Sequence, residues 1–268
     1  MKKEKKLSQI LGLDLFGVPF MHSVGIGPDA DPQVKKYNSF PIYSFVETGP
    51  IYPVSPVEAP SYKFPISLFK SGKNEVPPGL QEAIDSIGSR PRPLFTKIMA
   101  NIAALPSHTD CESLTADLLK SFTWLYDFVD LFVIDTFRKN ADGTCPLQSH
   151  EYLSESMDAL LDMRLYYDQR KPILLRVAPE ITDSSLESML DYMMYSGIDG
   201  IIAGSSGNPL PLVERIEAAS GGRFPIVACG TIGTSDIDPL KAKGVVLFET
   251  DRKNARNLLS YFADTQLK

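Results

Sequence analysis

Short apolar runs rich in β-branched and aromatic residues recur along the chain, each followed by a longer, mostly helical segment. Eight runs read as strands: positions 21–27 (MHSVGIG), 43–49 (YSFVETG), 93–101 (PLFTKIMAN), 131–137 (LFVIDTF), 173–179 (ILLRVAP), 198–205 (IDGIIAGS), 224–231 (FPIVACGT) and 244–250 (GVVLFET). Between the fifth and sixth, Leu186, Met189, Leu190 and Met193 fall on one face of a predicted helix, and Gly197 stands where a helix would stop. Positions 114–129 and 153–169 carry the same pattern. Near-continuous apolar strands alternating with amphipathic helices imply a parallel sheet buried on both faces. Eight such units in 268 residues predict an α/β fold consisting of a single (β/α)8 TIM barrel, whose typical length is about 250 residues. An open doubly wound sheet is the alternative and needs fewer units. Positions 1–14 read as an N-terminal extension. The proline-rich stretch after the second strand, within 50–92, is too long for a simple connection and is expected to form a lid or small subdomain over the barrel.

Composition narrows the function classes. With 43% hydrophobic and 22% charged residues the chain reads as an ordinary soluble protein. A formal net charge of -6 argues against a nucleic-acid binder, while leaving room for a small anion if cations gather locally. The basic start is interrupted by Asp14 and Gly17, so neither signal peptide nor membrane span is expected. Cys111, Cys145 and Cys229 lack CxxC spacing, and His22, His108 and His150 share no ligand spacing, so no disulfide framework and no metal site are expected and a cytoplasmic setting follows. The sequence does not fix the number of subunits, and a homo-oligomer is compatible with it.

The order GVPFMHSVGIGPDAD, FVETGPIYP, ILLRVAPEITDSSLESMLDYMMYSGIDGIIAGSS, GGRFPIVACGTI resembles the dihydroorotate dehydrogenases, FMN-dependent (β/α)8 barrels of pyrimidine synthesis. The likeness runs from about Leu15 to Phe248 and is densest from Ile173 to Ser205. The resemblance implies a serine or cysteine base at the end of the fourth strand, in a motif like N-V-S-S-P-N. This chain reads D-T-F-R-K-N there, placing Arg138 at the base position and keeping Asn140. Arginine stays protonated and offers no acceptor, so Arg138 is not expected to act as a base. Cations at the end of a barrel strand point to an anion site formed by Arg138, Lys139 and Asn140, a positive well that Arg176 on the fifth strand would join; the alternative is a solvated loop. Cys145, seven residues past Arg138, is a further candidate, as a thiolate beside cations or as a packed side chain.

By the same resemblance, Asn101, Asp135, Arg176, Ser205, Gly230 and Thr231 stand at cofactor-binding positions. Asn101 matches a flavin-contacting asparagine, Asp135 replaces one, and Ser205 replaces a substrate-binding one. Arg176, before V-A-P-E, keeps the positive charge that stabilises a reduced flavin; its alternative role is a buried ion pair, with Asp135 the candidate partner. Pro32 stands where the family has a lysine, and Pro50 where it has a threonine, although Gly49 and Pro53 are kept. Gly230, Thr231 and Gly233 can cradle a phosphate. After the eighth strand, Glu249 and Asp251 are expected near that phosphate, with Arg252 and Lys253 as compensating cations. These departures argue against tight FMN binding.

Three readings compete: a divergent barrel that has lost the ancestral oxidation of dihydroorotate to orotate and binds an anion or a partner; a flavin oxidoreductase acting on another anionic substrate; and a dihydroorotate dehydrogenase whose base comes from elsewhere.

Overall fold

The computed structural model describes residues 12–54, 78–89, 91 and 95–266. A short antiparallel hairpin comes first, strands β1 (Leu13–Leu15) and β2 (Val18–Phe20). Eight parallel strands then close into a barrel: β3 (Val24–Ile26), β4 (Phe45–Ile51), β5 (Lys97–Ile102), β6 (Leu131–Asp135), β7 (Ile173–Val177), β8 (Gly200–Gly204), β9 (Ile226–Cys229) and β10 (Val245–Thr250). Closure is direct, since Phe248, Glu249 and Thr250 of β10 pair with Val24, Gly25 and Ile26 of β3. All eight predicted strands are present; six are trimmed, while β4 and β5 start later and run past their predicted ends, to Ile51 and Ile102.

Helices α1 (Leu80–Gly88), α2 (Cys111–Leu125), α3 (His150–Arg164), α4 (Asp183–Ser196), α5 (Leu210–Ser220), α6 (Ile237–Ala242) and α7 (Arg252–Gln266) follow the strands from β4 onward. Local chemistry sets their ends. Asp110, Ser149 and Thr182 accept the backbone N–H groups of Ser113, Tyr152 and Ser185 at the starts of α2, α3 and α4. Gly197, at φ +90°, ends α4 as expected. One departure concerns the first repeat: among the described residues, β3 is followed by single 3-10 turns at Pro28–Ala30 and Tyr37–Ser39 rather than by an α-helix. Pro28 and Pro32 break up the backbone hydrogen bonding a helix needs there.

Period-two alternation sorts the strands' side chains. One cluster fills the barrel, with Phe45, Met99, Leu131, Val133, Leu174, Ile202, Val227 and Leu247. The alternate residues, among them Val46, Ile98, Phe132, Ile134, Leu175, Ile201 and Phe248, pack with the helices in a second, larger cluster. The hairpin was not foreseen. Leu15 pairs with Val18, leaving a two-residue loop whose members, Phe16 and Gly17, both have positive φ (58° and 77°), the requirement of a type I′ turn. Its Phe20 meets Phe45 edge-on at 5.9 Å inside the barrel, and Phe16 packs so tightly on Gly200 that a Cβ there would sit 2.8 Å from the ring. Positions 13–20 therefore plug the N-terminal end of the barrel, including Leu13 and Asp14 from the expected extension, of which 1–11 lie outside the described residues. Of the expected lid, 55–77, 90 and 92–94 lie outside the described residues. Its later part, 80–88, is α1, whose Leu80, Ala83 and Ile87 are buried in the outer core.

Candidate functional site

The inward parity that places Phe45, Leu174, Val227 and Leu247 in the barrel places the residue two positions further on, Glu47, Arg176, Cys229 and Glu249, in the next layer toward the C-terminal mouth. These side chains meet. One guanidinium nitrogen of Arg176, Nη2, donates to Glu249 Oε1 at 3.1 Å and also to Glu47 Oε2; its Nη1 donates to Cys229 Sγ at 3.1 Å. The Cys229 thiol donates to Glu249 Oε1 at 3.3 Å, and Asn101 Nδ2 donates to Glu47 Oε1 at 2.9 Å. Glu47 and Glu249 are fully buried. Burial works against the Arg176 charge, yet the carboxyls of Glu47 and Glu249 outweigh it and hold the group firmly protonated. Burial likewise pushes Glu249 up to about 8, with the Glu47 charge adding and Arg176 opposing. Asp29, on the rim, is pushed up to about 6 by loss of hydration, against Arg176 and with Glu47. Three atoms of this layer, Asn101 Oδ1, Arg176 Nε and Glu249 Oε2, are buried without a partner among the described residues.

The loop after β6 makes a separate pair. Asp135 Oδ1 accepts Phe137 N at 2.9 Å, and its Oδ2 takes Arg138 Nη2 at 3.3 Å. Burial opposes the Arg138 charge, while Tyr52 and Asp135 more than offset it. Arg138 Nε is buried without a partner among the described residues, and Lys139 beside it is exposed. Asn140 is buried, its backbone N–H bonded to Thr144 O at 2.8 Å. Cys145 donates to Phe137 O at 3.4 Å, and burial pushes its thiol up despite Lys139 nearby, which disfavours the thiolate. Asp135 is thus the partner of Arg138, not of Arg176. Although Asp135 and Arg176 are register partners, both Asp135 oxygens are taken by its own turn.

The glycine-bearing loops after β8, β9 and β10 close on one another. Gly230 N donates to Glu249 O at 3.0 Å, Thr231 N to Gly207 O at 2.8 Å, and Gly233 N to Asp236 Oδ2 at 2.7 Å. Ser205 N donates to Cys229 O, and Ser205 Oγ accepts Gly207 N at 3.1 Å. Gly207 O comes so near that a Cβ on Gly230 would stand 2.4 Å from it. At the start of α7 the Asp251 carboxylate accepts Lys253 N, Asn254 N and Asn254 Nδ2. Arg252 lies 4.9 Å over the Phe40 ring.

No protein-family model matches the chain. Curated relatives do. It is 25% identical over 263 residues to a dihydroorotate dehydrogenase (quinone) of Christiangramia forsetii, covering 85% of this chain and 76% of that one. A Synechococcus protein of the same name is 28% identical over 203 residues, covering 72% of this chain and 51% of that one. The chain is similar in sequence to the dihydroorotate dehydrogenases. The fold agrees: the crystal structure of DHODH from Eimeria tenella in complex with ferulenol matches with a TM-score of 0.78, at 16% identity, over 96% of this chain and 85% of that one.

Against the FMN expected from the dihydroorotate dehydrogenases, the residues present fit poorly. A phosphate at the ends of β9 and β10 requires free backbone N–H groups. Those of Gly230, Thr231 and Gly233 are all spent within the protein, and the first N–H groups of α7 that face outward are capped by Asp251. Arg252 stacks on Phe40 instead of compensating. Glu249 was expected beside the phosphate and turns into the barrel instead, because it shares the parity of Leu247. Deeper in, the cation at the family's lysine position, Arg176, is held by two carboxyls of the same chain. Of the three cations expected to gather at the mouth, Arg176 is held by Glu47 and Glu249 and Arg138 by Asp135, while Lys139 is exposed.

Sequence reading missed Glu47 as a site residue. Its signal was present, since Glu47 lies two residues beyond inward-facing Phe45, and a lone acidic residue at an inward position of a barrel strand demands a cationic partner. Among the described residues no cluster of three or more metal-ligating side chains occurs, all three cysteines are free thiols, and no helix is long and apolar enough to cross a membrane.

Proposed function

We propose that this barrel has given up the oxidation of dihydroorotate and the binding of FMN, and serves as a binding protein built on the dihydroorotate dehydrogenase scaffold. The observation that carries the reading is the self-closed mouth, where Arg176 is engaged by Glu47 and Glu249 instead of facing a ligand. Arg138 at the base position supports it, because a guanidinium cannot accept the substrate proton, and loss of a general base removes about 100-fold to 10,000-fold in rate. A small carboxylate or phosphate at Arg138 and Lys139 is the ligand class this reading keeps. One atom favours it, the unpartnered Nε of Arg138, since a guanidinium binds carboxylates and phosphates through its fork.

Spectra and melting curves test both points. The purified chain is expected to be colourless, to gain no visible flavin absorbance after incubation with excess FMN and gel filtration, and to reduce no dye on addition of dihydroorotate. Arg138→Ser does not restore turnover, because the base is only one of the missing parts. Stoichiometric FMN, or flavin reduction by dihydroorotate, overturns the reading. In the same melting assay, carboxylates or phosphates raise the wild-type Tm and leave Arg138→Ala unmoved, since a ligand that binds only the folded state stabilises it by mass action. An equal shift in both chains removes the anion site.

A further inference from the structure

Glu47 and Glu249 approach each other across the barrel because they share one hydrogen-bond donor. Nη2 of Arg176 reaches both, and each side chain is fully buried. Three of the four carboxyl oxygens have donors: Glu47 Oε2 and Glu249 Oε1 from Arg176, with the Cys229 thiol also on the latter, and Glu47 Oε1 from Asn101. The fourth, Glu249 Oε2, is buried and has none. As a carboxylate oxygen it would be a bare buried charge, which is costly. As the hydroxyl of a carboxylic acid it becomes a donor, and the Glu47 carboxyl lies within hydrogen-bonding reach of Glu249.

The charge balance leads to the same result. Glu249 on β10 faces Glu47 from β4, Arg176 from β7, Cys229 from β9, and Asp29 on the rim after β3; Asn101 on β5 adds a neutral amide. Burial and Glu249 push the Cys229 thiol well above its usual range, so it brings no charge of its own. The other guanidinium of the mouth, Arg138, is paired with Asp135. Among the described residues Arg176 alone therefore faces two carboxyls, and two like charges so close in a dry interior do not both ionise.

We infer that the inner wall of the barrel mouth is a proton-binding site, in which Glu47 and Glu249 share one proton and Arg176 clamps the pair into a neutral cluster at neutral pH. The site stands on the strand geometry and rests on the same closed mouth as the proposed function, while its test reads the proton directly, apart from the flavin result. Burial, followed by the Glu47 charge, sets the range in which the proton leaves, with Glu249 pushed up to about 8. The linkage follows from that direction. A carboxyl raised in the folded state contributes stability that is complete below its unfolded value of 4.5 and is lost as pH rises through about 8. Above that range the mouth carries two anions on one cation, and base loosens it.

Carboxyl-labelled glutamate in the full-length chain reads the site directly by carbon NMR. At neutral pH one glutamate side chain is expected at the protonated position, moving to the ionised position near pH 8, and missing from Glu249→Gln. Urea unfolding provides the second readout: the wild-type folding constant falls by up to about tenfold per pH unit between about pH 6 and pH 8, and the variant loses that slope. If Glu249→Gln does not fold, Glu47→Gln replaces it, and the alkaline titration moves toward the ordinary glutamate range. A wild-type chain in which every glutamate is ionised at pH 7, or equal slopes in wild type and variant, overturns the inference.

Discussion

Replacing Arg176 with methionine removes the cation of the inner cluster while keeping a flexible side chain of similar reach. The substitution deletes the donors to Glu47 and Glu249 and the 3.1 Å bond to Cys229, leaving two fully buried carboxyls facing each other. Removing one partner of a buried ion pair costs about 3–5 kcal/mol. The lower figure applies here, because Glu249 already favours its proton and only one bare charge remains. With a total stability of about 5–15 kcal/mol, a loss of about 3 kcal/mol takes a fifth to more than half of it. For a chain of this size that corresponds to a fall in Tm of roughly 6–12 °C. Urea unfolding followed by circular dichroism at pH 8 and at pH 5.5 measures the effect. Acid supplies protons to the stranded carboxyls, so the deficit shrinks at the lower pH. Adding Glu47→Gln to Arg176→Met removes the stranded charge and recovers half or more of the loss at pH 8. A deficit under about 1 kcal/mol, or one equal at both pH values, would refute the claim that Arg176 is the counter-charge of this layer.

Two further outcomes test the packing and the other end of the pH range. Gly25→Ala places a Cβ 2.3 Å from the Phe45 ring and costs about 1–3 kcal/mol by overpacking; combined with Phe45→Leu, it costs less than about 1 kcal/mol beyond Phe45→Leu alone, as read from urea midpoints. His22 accepts Val24 N on Nδ1 at 3.1 Å and donates from Nε2 to Ile42 O at 2.9 Å, and burial lowers its proton affinity. Its contribution is therefore present above the ordinary histidine value of 6.5 and lost as pH falls through the lower folded value, so wild type and His22→Asn differ most at pH 7.5 and converge in acid.

The eight strands and the α4 stop at Gly197 were legible because they depend on local pattern: apolar runs between polar segments, and a glycine free to adopt positive φ. The hairpin was not, because three-residue strands leave no periodicity and its turn puts Phe16 at positive φ. The inner cluster lies between these cases. That Arg176 faces inward follows from alternation with Leu174, but the identity of its partner depends on closure of the barrel. Asp135 is its register neighbour and looked sufficient from sequence. Closure brings Glu249 of β10 to β3, and β3 is followed by Gly27, where a Cβ would lie 3.3 Å from Glu249 Oε1. The missing side chain leaves room for the Glu249 carboxyl beside Arg176. No local pattern carries that information, since it joins residues on strands at opposite ends of the chain.

The same closure changes the electrostatic character of the mouth. Sequence suggested a positive well made by Arg138, Lys139 and Arg176. The barrel sets Asp29, Glu47, Asp135 and Glu249 around just two of those cations, Arg138 and Arg176, and leaves Lys139 exposed. An anion entering the inner layer would have to displace Glu47 or Glu249 from Arg176 and leave that carboxyl unpaired, a penalty comparable to breaking the pair itself. The outer layer imposes no such exchange, because Arg138 keeps one buried N–H without a partner and Lys139 reaches solvent. On the proposed readings, depth in the barrel separates the ligand classes: the inner ring takes up a proton, and among the described residues of the mouth it is the rim at Arg138 and Lys139 that has positive charge to offer an anion.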